Sequence, residues 1–293
     1  MQIGDQRKEF EGDKLLVTGT GKAKRPEFEF PRDKNILFGD NFWTEENLKL
    51  LDAVREDSDP IAIVGGGETA ASIAEYLTEK LGPRRIPIII ITRNGTIFSR
   101  GEGYYENRVF THHEEWEELP EDVRLETIRR ADRGVFSQGV VAKLSQDSRV
   151  RHFCVDVQKI EVGEGSTGLL RIIGKKHKNR DKNQIIPCQL LIFAMGFDSL
   201  FFAEMIKDDQ LSKTLRKRVK GMYAIERQIG DDLSVSASIS PSKLYLPALA
   251  GLARGPGFPN LSCLGVLSDR ILGRSPKTPA APRSTITPKP RSR

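Results

Sequence analysis

The apolar positions are most clearly ordered between residues 60 and 93, where two continuous runs flank a helical stripe. Residues 61–64 form a short apolar run that can be buried on both faces, as in a parallel sheet. Residues 87–92 form a second such run, and the stretch between the runs has apolar positions at helical spacing. We therefore predict a strand, a glycine turn, a helix and a strand in this order. The helical stripe consists of Ala70, Ile73, Ala74, Leu77 and Leu81.

The other apolar runs are short and predict further strands on both sides of this unit, which together indicate an α/β fold. Thr44 is placed to cap a helix that extends to Val54. Residues 96–110 are rich in glycine and aromatics and predict a long loop, and loops of this length in compact domains are usually functional. Further strands are predicted at 14–17, 36–38, 150–162, 169–174, 187–194 and 244–246, and further helices within 114–131 and around 140–144.

The glycine turn after the first strand carries a dinucleotide-binding pattern. Gly65 and Gly67, which flank Gly66, form the pattern G-x-G-x-x-A with Ala70. In this pattern the first glycine makes the turn, the second lets the backbone approach a pyrophosphate, and the small third residue lets helix and strand pack closely. The N-terminus of the following helix faces the phosphates. The pattern predicts a bound dinucleotide, and the alternative is a glycine turn that binds no ligand.

The end of the second strand favours NADPH over NADH. An NAD site is expected to have a carboxylate there for the ribose 2′-hydroxyl, whereas a cation suits a 2′-phosphate. The strand ends in Thr92, Arg93 and Asn94, and the nearest acidic residue downstream is Glu102. The alternative is that Arg93 is an ordinary solvated strand end.

Composition and charge exclude several classes of protein. The 293 residues are 38% hydrophobic, which is enough for the core of one large or two small domains. The formal net charge is +6, but the basic residues are scattered. The densest clusters, 174–183 and 213–220, are expected to be a solvated hairpin tip and a solvated helix face, so we expect no nucleic-acid binding. No apolar run approaches the roughly 20 residues of a membrane span, and no secretory signal is visible.

The cysteines and histidines indicate a reducing compartment and no metal site. Cys154, Cys188 and Cys263 are far apart and odd in number, which argues against a disulfide framework or a zinc site. His112 and His113 are followed by two glutamates, but adjacent histidines point apart, so we expect a solvated loop or helix start. We therefore expect a soluble, cytoplasmic protein.

Two strands bracket the nucleotide unit, one ending at Val17 and the other at Ala194. This pattern is typical of one domain inserted into another. We predict a parent domain in residues 1–40, an inserted nucleotide-binding domain in 41–185 with its core in 60–152, a return to the parent domain in 186–273, and a disordered, basic and proline-rich tail in 274–293.

A glycine-proline turn at residues 255–259 leads to Asn260 at the start of an apolar helix. The N-terminus of such a helix could point at a flavin carbonyl. The alternative is a turn with a structural role only.

Four motifs carry a resemblance to a known family. They are V-G-G-G-E-T-A-A-S at 64–72, F-S-R-G-E-G-Y-Y-E-N at 98–107, D-R-G-V-F-S at 132–137 and G-P-G-F-P-N-L-S-C-L-G at 255–265. Together they resemble the N-hydroxylating flavin monooxygenases of siderophore synthesis, which act on L-lysine or L-ornithine, and are most similar to the lysine-hydroxylating members. The resemblance implies a flavoprotein architecture with two dinucleotide-binding domains, in which a Rossmann-like NADPH domain is inserted into an FAD domain.

The resemblance also implies the chemistry. NADPH would reduce FAD, and an oxygen atom would then be transferred to the neutral side-chain amine of lysine or a lysine-like amine, for hydroxamate siderophore biosynthesis. Because the flavin would carry the chemistry, no side chain is expected to act as a catalytic residue.

The family's functional positions can be carried over by motif. The resemblance implies that Asn107 lies near substrate and nicotinamide. Glu75 stands where related ornithine hydroxylases have a substrate-contacting asparagine, so it is the second candidate for the substrate site. The implied cofactor-binding residues are Gly65, Gly66, Gly67, Glu68 and Thr69 for the NADPH pyrophosphate, Arg93 for the 2′-phosphate, and Asn260, Leu261 and Ser262 in the segment that returns to the flavin.

The sequence departs from the family in one major respect. The family begins with an FAD fingerprint, a strand followed by G-x-G-x-x-G, and this sequence shows none. We therefore expect a partial FAD domain, which a longer gene product or a second polypeptide would complete. The alternative function is a non-catalytic NADP-binding chain that needs a separate FAD-binding segment. Homo-oligomer formation is left open.

Overall fold

The computed structural model describes residues 2–3, 6–7, 12–56, 59–163, 169–176, 179–219, 222–240 and 243–273. The strands are β1 (Gln2–Ile3), β2 (Gln6–Arg7), β3 (Lys14–Leu16), β4 (Lys22–Ala23), β5 (Ile36–Phe38), β6 (Ile61–Val64), β7 (Ile88–Thr92), β8 (Val150–Cys154), β9 (Asp156–Val162), β10 (Leu170–Lys176), β11 (Asn179–Cys188), β12 (Leu190–Phe193), β13 (Phe197–Asp198), β14 (Arg218–Val219), β15 (Met222–Tyr223) and β16 (Lys243–Tyr245). The α-helices are α1 (Glu45–Leu48), α2 (Glu68–Leu81), α3 (Tyr104–Thr111), α4 (Glu121–Ala131), α5 (Gln138–Gln146), α6 (Asp209–Arg216), α7 (Gly251–Arg254) and α8 (Leu264–Leu272). Short 3-10 helices lie at Lys49–Ala53, Phe201–Met205, Ala224–Arg227, Pro247–Leu249 and Leu261–Cys263. The predicted tail at 274–293 lies outside the described residues.

A five-stranded parallel sheet organises the fold, in the order β5-β12-β6-β7-β8. The predicted strand–turn–helix–strand unit is confirmed, because β6 leads through the glycine turn into α2 and then pairs in parallel with β7. The helical stripe is buried as predicted, and Ala71 is buried with it. The parallel sheet and the helix packed on it confirm the predicted α/β fold class.

The structure places two strands differently from the sequence prediction. The strand ending at Ala194 and the strand at 36–38 were expected in the parent domain, but β12 pairs with β6 and β5 pairs with β12. All four residues of β12 are buried, as is typical of a central strand in a parallel sheet whose two faces are both covered. Of the two bracketing strands, only β3 lies outside this sheet. It pairs with β16 in a separate two-stranded sheet.

The two faces of the five-stranded sheet are covered by different layers. Ile61 and Ile63 point to the cluster that contains α2. Ala62, between them in sequence, points to a cluster that contains residues of β9, β10 and β11. These three strands form an antiparallel sheet, which confirms the predicted hairpin around residues 174–183, although its tip lies partly outside the described residues. The main sheet therefore lies between a helical layer and a second sheet.

The predicted loop at 96–110 is in part a helix, so this prediction was wrong for its second half. Helix α3 begins after Gly103, whose carbonyl accepts the backbone N–H of Asn107 at 3.0 Å. The segment is rich in glycine and aromatic residues, and its helix buries only one residue, Phe110, so the sequence shows no apolar helical stripe. The prediction of a capped helix after Thr44 is confirmed, since the Thr44 side chain accepts the N–H of Asn47, although the helix continues as a 3-10 helix to Ala53.

Residues 104–131 form a helical arm that joins the nucleotide unit to the C-terminal part of the chain. The indole N–H of Trp116 donates to the carbonyl of Leu252 at 3.0 Å. The Cys263 thiol contacts the carbonyl of Phe110 at 2.7 Å. A Cβ on Gly257 would lie 2.0 Å from that same carbonyl oxygen, so the turn at 255–259 packs directly on α3. Among the described residues, none of the helices combines the length and the apolar character needed to span a bilayer.

Candidate functional site

The candidate site lies at the carboxyl ends of the parallel strands. Strands β5, β12, β6 and β7 end side by side at Gly39, Ala194, Gly65 and Arg93. The chain runs outward from β6 through β7 to β8 on one side, and β12 returns on the other side of β6. The order of the strands therefore reverses between β6 and β12. In open α/β sheets, ligands bind in the crevice at such a switch point.

The first glycine of the turn is fixed by its contact with β12. A Cβ at Gly65 would lie 2.1 Å from the carbonyl oxygen of Ala194, and the φ of Gly65 is +155°. Gly66 is less constrained, because its Cβ would meet the Cγ2 atom of Thr92 at 3.2 Å. Two glycines of the turn therefore serve the close packing of β6 against its neighbours.

Gly67 has a different environment. The nearest atoms to a Cβ at this position would be backbone atoms of Gly134, at 3.8 Å, which is an ordinary contact distance. Gly67 is the N-cap of α2, has an extended backbone and contributes no side-chain cap. A side chain at this position would fit without a clash in the folded chain. Because glycine has no side chain, there is space in front of the N–H groups that begin α2. This is the arrangement that binds anions at a helix N-terminus.

Glu68 and Thr69 begin α2 and point to different parts of the edge. The Cγ2 atom of Thr69 would lie 2.9 Å from a Cβ on Gly39, which places Thr69 at the end of β5. The Glu68 atom Oε1 is buried without a hydrogen-bond partner among the described residues. Burial raises the pKa of Glu68, and Glu102 raises it further, whereas Arg100 lowers it. A carboxylate cannot bind a pyrophosphate directly, so any contact of Glu68 with phosphate would come from its backbone N–H.

The end of β7 places Arg93 at the surface. The Thr92 hydroxyl bonds to the His152 Nε2 atom at 2.8 Å and donates to the carbonyl of Asn94 at 3.0 Å. The Cys154 thiol, which follows from the neighbouring strand β8, contacts the carbonyl of Arg93 at 3.6 Å. The backbone of Arg93 is thus tied to the neighbouring strand β8, its side chain is exposed, and the residue before it, Thr92, lies against Gly66 of the glycine turn.

The segment at 132–137 covers one side of the turn, which sequence reasoning missed. Phe136 exchanges backbone hydrogen bonds with the strand-like residues of the preceding loop, from its N–H to the Phe98 carbonyl and from the Arg100 N–H to its own carbonyl, both at 2.8 Å. Gly134 then lies against Gly67 with a φ of +74°. The D-R-G-V-F-S motif was used only for the resemblance, and its glycine is the signal that could have indicated a close backbone contact.

The two substrate candidates occupy different parts of the structure. Asn107 lies on α3 and donates from Nδ2 to the carbonyl of Glu102 at 2.8 Å. Glu75 lies seven residues after Glu68 on α2 and forms an ion pair with Lys143 of α5. This contact gives Glu75 a structural role at the packing of α2 against α5. A substrate role for either residue stays a prediction.

Asn260 has the local structure that the sequence predicted. Its Oδ1 atom accepts the Ser262 N–H at 2.9 Å, and its Nδ2 group donates to the carbonyl of Pro256 at 2.9 Å. It therefore caps the short 3-10 helix that leads into α8. The side chain of Leu261 lies outside the described residues. The structure brings this turn against α3, which carries Asn107, through the contact of Cys263 with Phe110. A flavin contact of residues 260–262 stays a prediction.

One residue of the histidine pair departs from its predicted setting, whereas His112 is exposed as expected. His113 is buried rather than solvated, with its ring 5.6 Å from the ring of Phe258. Burial lowers the pKa of His113, which favours the neutral form. We expected a solvated loop or helix start because adjacent histidines point apart, and contact with the C-terminal part of the chain is not visible in local sequence. Within the described ranges, no group of three or more His, Cys, Asp or Glu residues could hold a metal ion.

A family model for L-lysine 6-monooxygenase/L-ornithine 5-monooxygenase matches residues 2–199, which include the glycine turn and the whole five-stranded sheet. The chain belongs to this family. Among curated relatives, it is 36% identical over 265 residues to the L-lysine N6-monooxygenase MbtG of Mycolicibacterium paratuberculosis, which covers 89% of this chain and 58% of that protein. It is 34% identical over 279 residues to MbtG of Mycobacterium tuberculosis, with 94% and 61% covered. The chain thus spans about 60% of the length of these relatives.

Solved structures show the same fold. The lysine monooxygenase NbtG from Nocardia farcinica, described with an NADPH domain in an unprecedented conformation, matches with a TM-score of 0.63 and 32% identity, over 90% of this chain and 61% of that chain. The ornithine N-hydroxylase KtzI from Kutzneria sp. 744, solved with reduced FAD, NADP+ and L-ornithine, matches with a TM-score of 0.67 and 14% identity, over 89% and 62%. At the identity of the second, the likeness shows the fold alone. Members of the family use FAD and NADPH.

The buried carboxyl of Glu68 makes a testable contribution to stability. Because burial raises its pKa above the ordinary value of 4.5, the ionised form is disfavoured in the folded chain. The wild type should therefore lose stability relative to Glu68→Gln as the pH rises through the raised pKa. Below the ordinary value, where the side chain is protonated in both states, the difference in stability between the two proteins should no longer change with pH.

Urea unfolding at acid and at neutral pH measures this difference. The control is Glu126→Gln, which removes a glutamate whose pKa is lowered by its hydrogen bond to Arg130, and this variant should gain nothing at neutral pH. A stability difference between Glu68→Gln and the wild type that is the same at acid and at neutral pH would contradict the assignment.

Proposed function

We propose that this chain binds NADPH at the glycine turn and takes part in the NADPH- and FAD-dependent N6-hydroxylation of L-lysine, or of a lysine-like amine, in hydroxamate siderophore biosynthesis. The observation that carries the proposal is the uncapped N-terminus of α2 behind Gly67, at the point where the strand order reverses. Family membership supplies the chemistry, and the identity to lysine-hydroxylating relatives favours lysine.

The residues of the turn fit the nucleotide. The backbone N–H groups of Gly67, Glu68 and Thr69 are proposed to bind the pyrophosphate, because the space in front of them would be filled by a Cβ at Gly67. Arg93, at the end of the neighbouring strand, is proposed to bind the 2′-phosphate with its guanidinium. Gly65 and Gly66 shape the turn and need not contact the ligand.

FAD, when bound, supplies the activation of oxygen that hydroxylation requires. For this chain, residues 260–262 are the proposed contact with FAD, but both polar groups of Asn260 are used within its own turn. The FAD site therefore enters the proposal through family membership, and no step is assigned to these side chains. Asn107, on the helix that packs against this turn, is the proposed contact with substrate and nicotinamide.

The domain organisation is also proposed. The nucleotide-binding domain is taken to include β5 and β12 because both strands pair within its sheet. The parent, FAD-binding domain would contain β3 and β16, which pair with each other, and the separate hydrophobic cluster to which Leu244 of β16 belongs. The inserted-domain pattern is retained, with the boundaries moved so that the strands at 36–38 and 190–193 belong to the insert.

A second candidate function is a non-catalytic NADP-binding chain that hydroxylates no amine without a separate FAD-binding segment. The observation that favours it is that both polar groups of Asn260, the proposed flavin contact, form hydrogen bonds within their own turn. Both candidates include the NADPH site and differ in whether this chain alone binds FAD.

The decisive experiment measures NADPH oxidation and hydroxylamine formation from lysine by the purified chain, with FAD added, alone and together with the FAD-binding segment of a curated relative. Lysine-dependent hydroxylamine from the chain alone supports the first candidate, and ornithine and cadaverine serve as competing substrates. Hydroxylamine that forms only together with the FAD-binding segment would favour the second candidate, and NADPH binding without hydroxylamine in both arms would contradict the proposed hydroxylation.

Gly67→Ala should weaken NADPH binding while the fold is retained. A Cβ at this position meets nothing closer than 3.8 Å in the chain itself, but it would occupy the space that the pyrophosphate needs. We expect about tenfold weaker binding or more, which corresponds to about 1.4 kcal/mol. Calorimetric titration measures the affinity, and circular dichroism confirms the fold.

The matched control is Gly139→Ala, because a Cβ on Gly139 meets nothing within 4 Å and Gly139 lies on α5, away from the turn. This variant should bind NADPH like the wild type. Unchanged binding by a folded Gly67→Ala protein would show that the phosphates lie elsewhere.

Arg93→Ala should weaken the binding of NADPH but not of NADH. Loss of a hydrogen bond between a cation and the 2′-phosphate should cost about 1–3 kcal/mol. NADH, which lacks this phosphate, is the internal control in the same titration. Equal losses for both nucleotides, or tighter binding of NADH by the wild type, would overturn the 2′-phosphate assignment.

A further inference from the structure

An ion pair between a buried carboxylate and a half-exposed arginine connects the glycine turn to the C-terminal part of the chain. Glu226, in the 3-10 helix at Ala224–Arg227, is 2% exposed, and its Oε2 atom accepts from Arg133 Nη2 at 2.9 Å. Its Oε1 atom accepts the backbone N–H of Tyr223 at 3.3 Å. The carboxylate is therefore fixed from both sides, and Arg133 is its cationic partner.

Arg133 immediately precedes the glycine that lies against the turn. Gly134 has a positive φ, and its backbone is the nearest neighbour of the position where a Cβ on Gly67 would lie. The Arg133 N–H donates to the carbonyl of Ile128 at 3.0 Å, and Phe136 is tied to the loop before α3. The backbone of 133–134 thus has a defined path, and the ion pair to Glu226 fixes the side chain that begins it.

Burial determines how this pair acts. A carboxylate at 2% exposure that lost Arg133 would keep only the electrostatic attraction of Lys24, and the fold would relieve this poorly compensated charge by moving the residues around it. The residues that would move include the segment that ends at Gly134. The ion pair therefore determines the position of the backbone at Gly134, which lies opposite Gly67, and need not contact the ligand itself.

We propose that Arg133 and Glu226 are positioning residues that hold Gly134 against the glycine turn and so enclose the pyrophosphate of the nucleotide on one side. The inference rests on the proposed NADPH site. It assigns a ligand-binding consequence to two residues that need not touch the ligand, and it links nucleotide affinity to the contact between the nucleotide unit and the C-terminal part.

The test is a double-mutant cycle in the full chain, with NADPH affinity from calorimetry and stability from urea unfolding. Glu226→Gln and Arg133→Gln should each weaken NADPH binding about five- to tenfold, which is about 1–1.4 kcal/mol. The double variant should be no weaker than the worse single variant, because the two residues act as a unit. Arg133→Lys, which retains the charge, should recover part of the affinity.

Adenosine 2′-phosphate provides a readout that general destabilisation would not produce. It lacks the pyrophosphate, so its affinity, measured by competition, should stay the same in all of these variants. The matched control is Glu117→Gln, which breaks a 2.9 Å ion pair with Arg254 between the same two parts of the chain but away from Gly134. This variant should lose stability and keep its NADPH affinity.

Each other outcome contradicts the proposal in a distinct way. Tighter NADPH binding by Glu226→Gln, with a large loss in Arg133→Gln, would show that Arg133 contacts the phosphates directly. Equal losses in Glu117→Gln and Glu226→Gln would show a structural effect only. If Glu226→Gln binds NADPH as well as the wild type does, the positioning role is wrong and the proposed NADPH site stands. Glu226→Asp replaces Glu226→Gln in this comparison if Glu226→Gln does not fold. A wild type that does not bind NADPH would overturn the proposed site as well.

Discussion

The architecture of the candidate site depends on the close approach of Gly65 to the carbonyl oxygen of Ala194. A Cβ there would lie 2.1 Å from that oxygen, so the backbone of the turn passes β12 at a distance that only glycine allows. This approach brings the end of β12 to the end of β6 and sets the direction in which α2 begins. The crevice at the switch point, the position of Thr69 against Gly39 and the exposed N-terminus of α2 all follow from it.

Local sequence predicted the parts of this site that are built by neighbours in the chain. The unit from β6 to β7 was predicted correctly because its signals all lie within 34 residues, 60–93. They are the continuous apolar runs of the strands, the glycines of the turn and the helical spacing of the apolar stripe. Asn260 was predicted at a helix start for the same reason, since its cap bonds to Ser262 are made two residues away. Such patterns are read directly from spacing.

The parts that sequence reasoning missed depend on contacts between distant segments. Strand β12 has the composition of any buried strand, and only its register with β6, which pairs Leu190 with Ile61, assigns it to the nucleotide sheet. His113 lies beside acidic residues in sequence but is buried by Phe258. Gly134 similarly becomes part of the site through the fold. Side chains that meet across more than 60 residues leave no periodic signal, which is why the contacts of the helical arm were not predicted.

The central claim is that the uncapped start of α2 binds the pyrophosphate of NADPH. Amide hydrogen exchange of the chain with and without NADPH tests it most directly, because the N–H groups proposed to bind the phosphates are the observed probes. The account predicts slower exchange at Gly67, Glu68 and Thr69 and at 132–137 when NADPH is present, with no change in β9 and β10, which lie on the far face of the sheet. Unchanged exchange at residues 67–69 in a chain that has bound NADPH would contradict it.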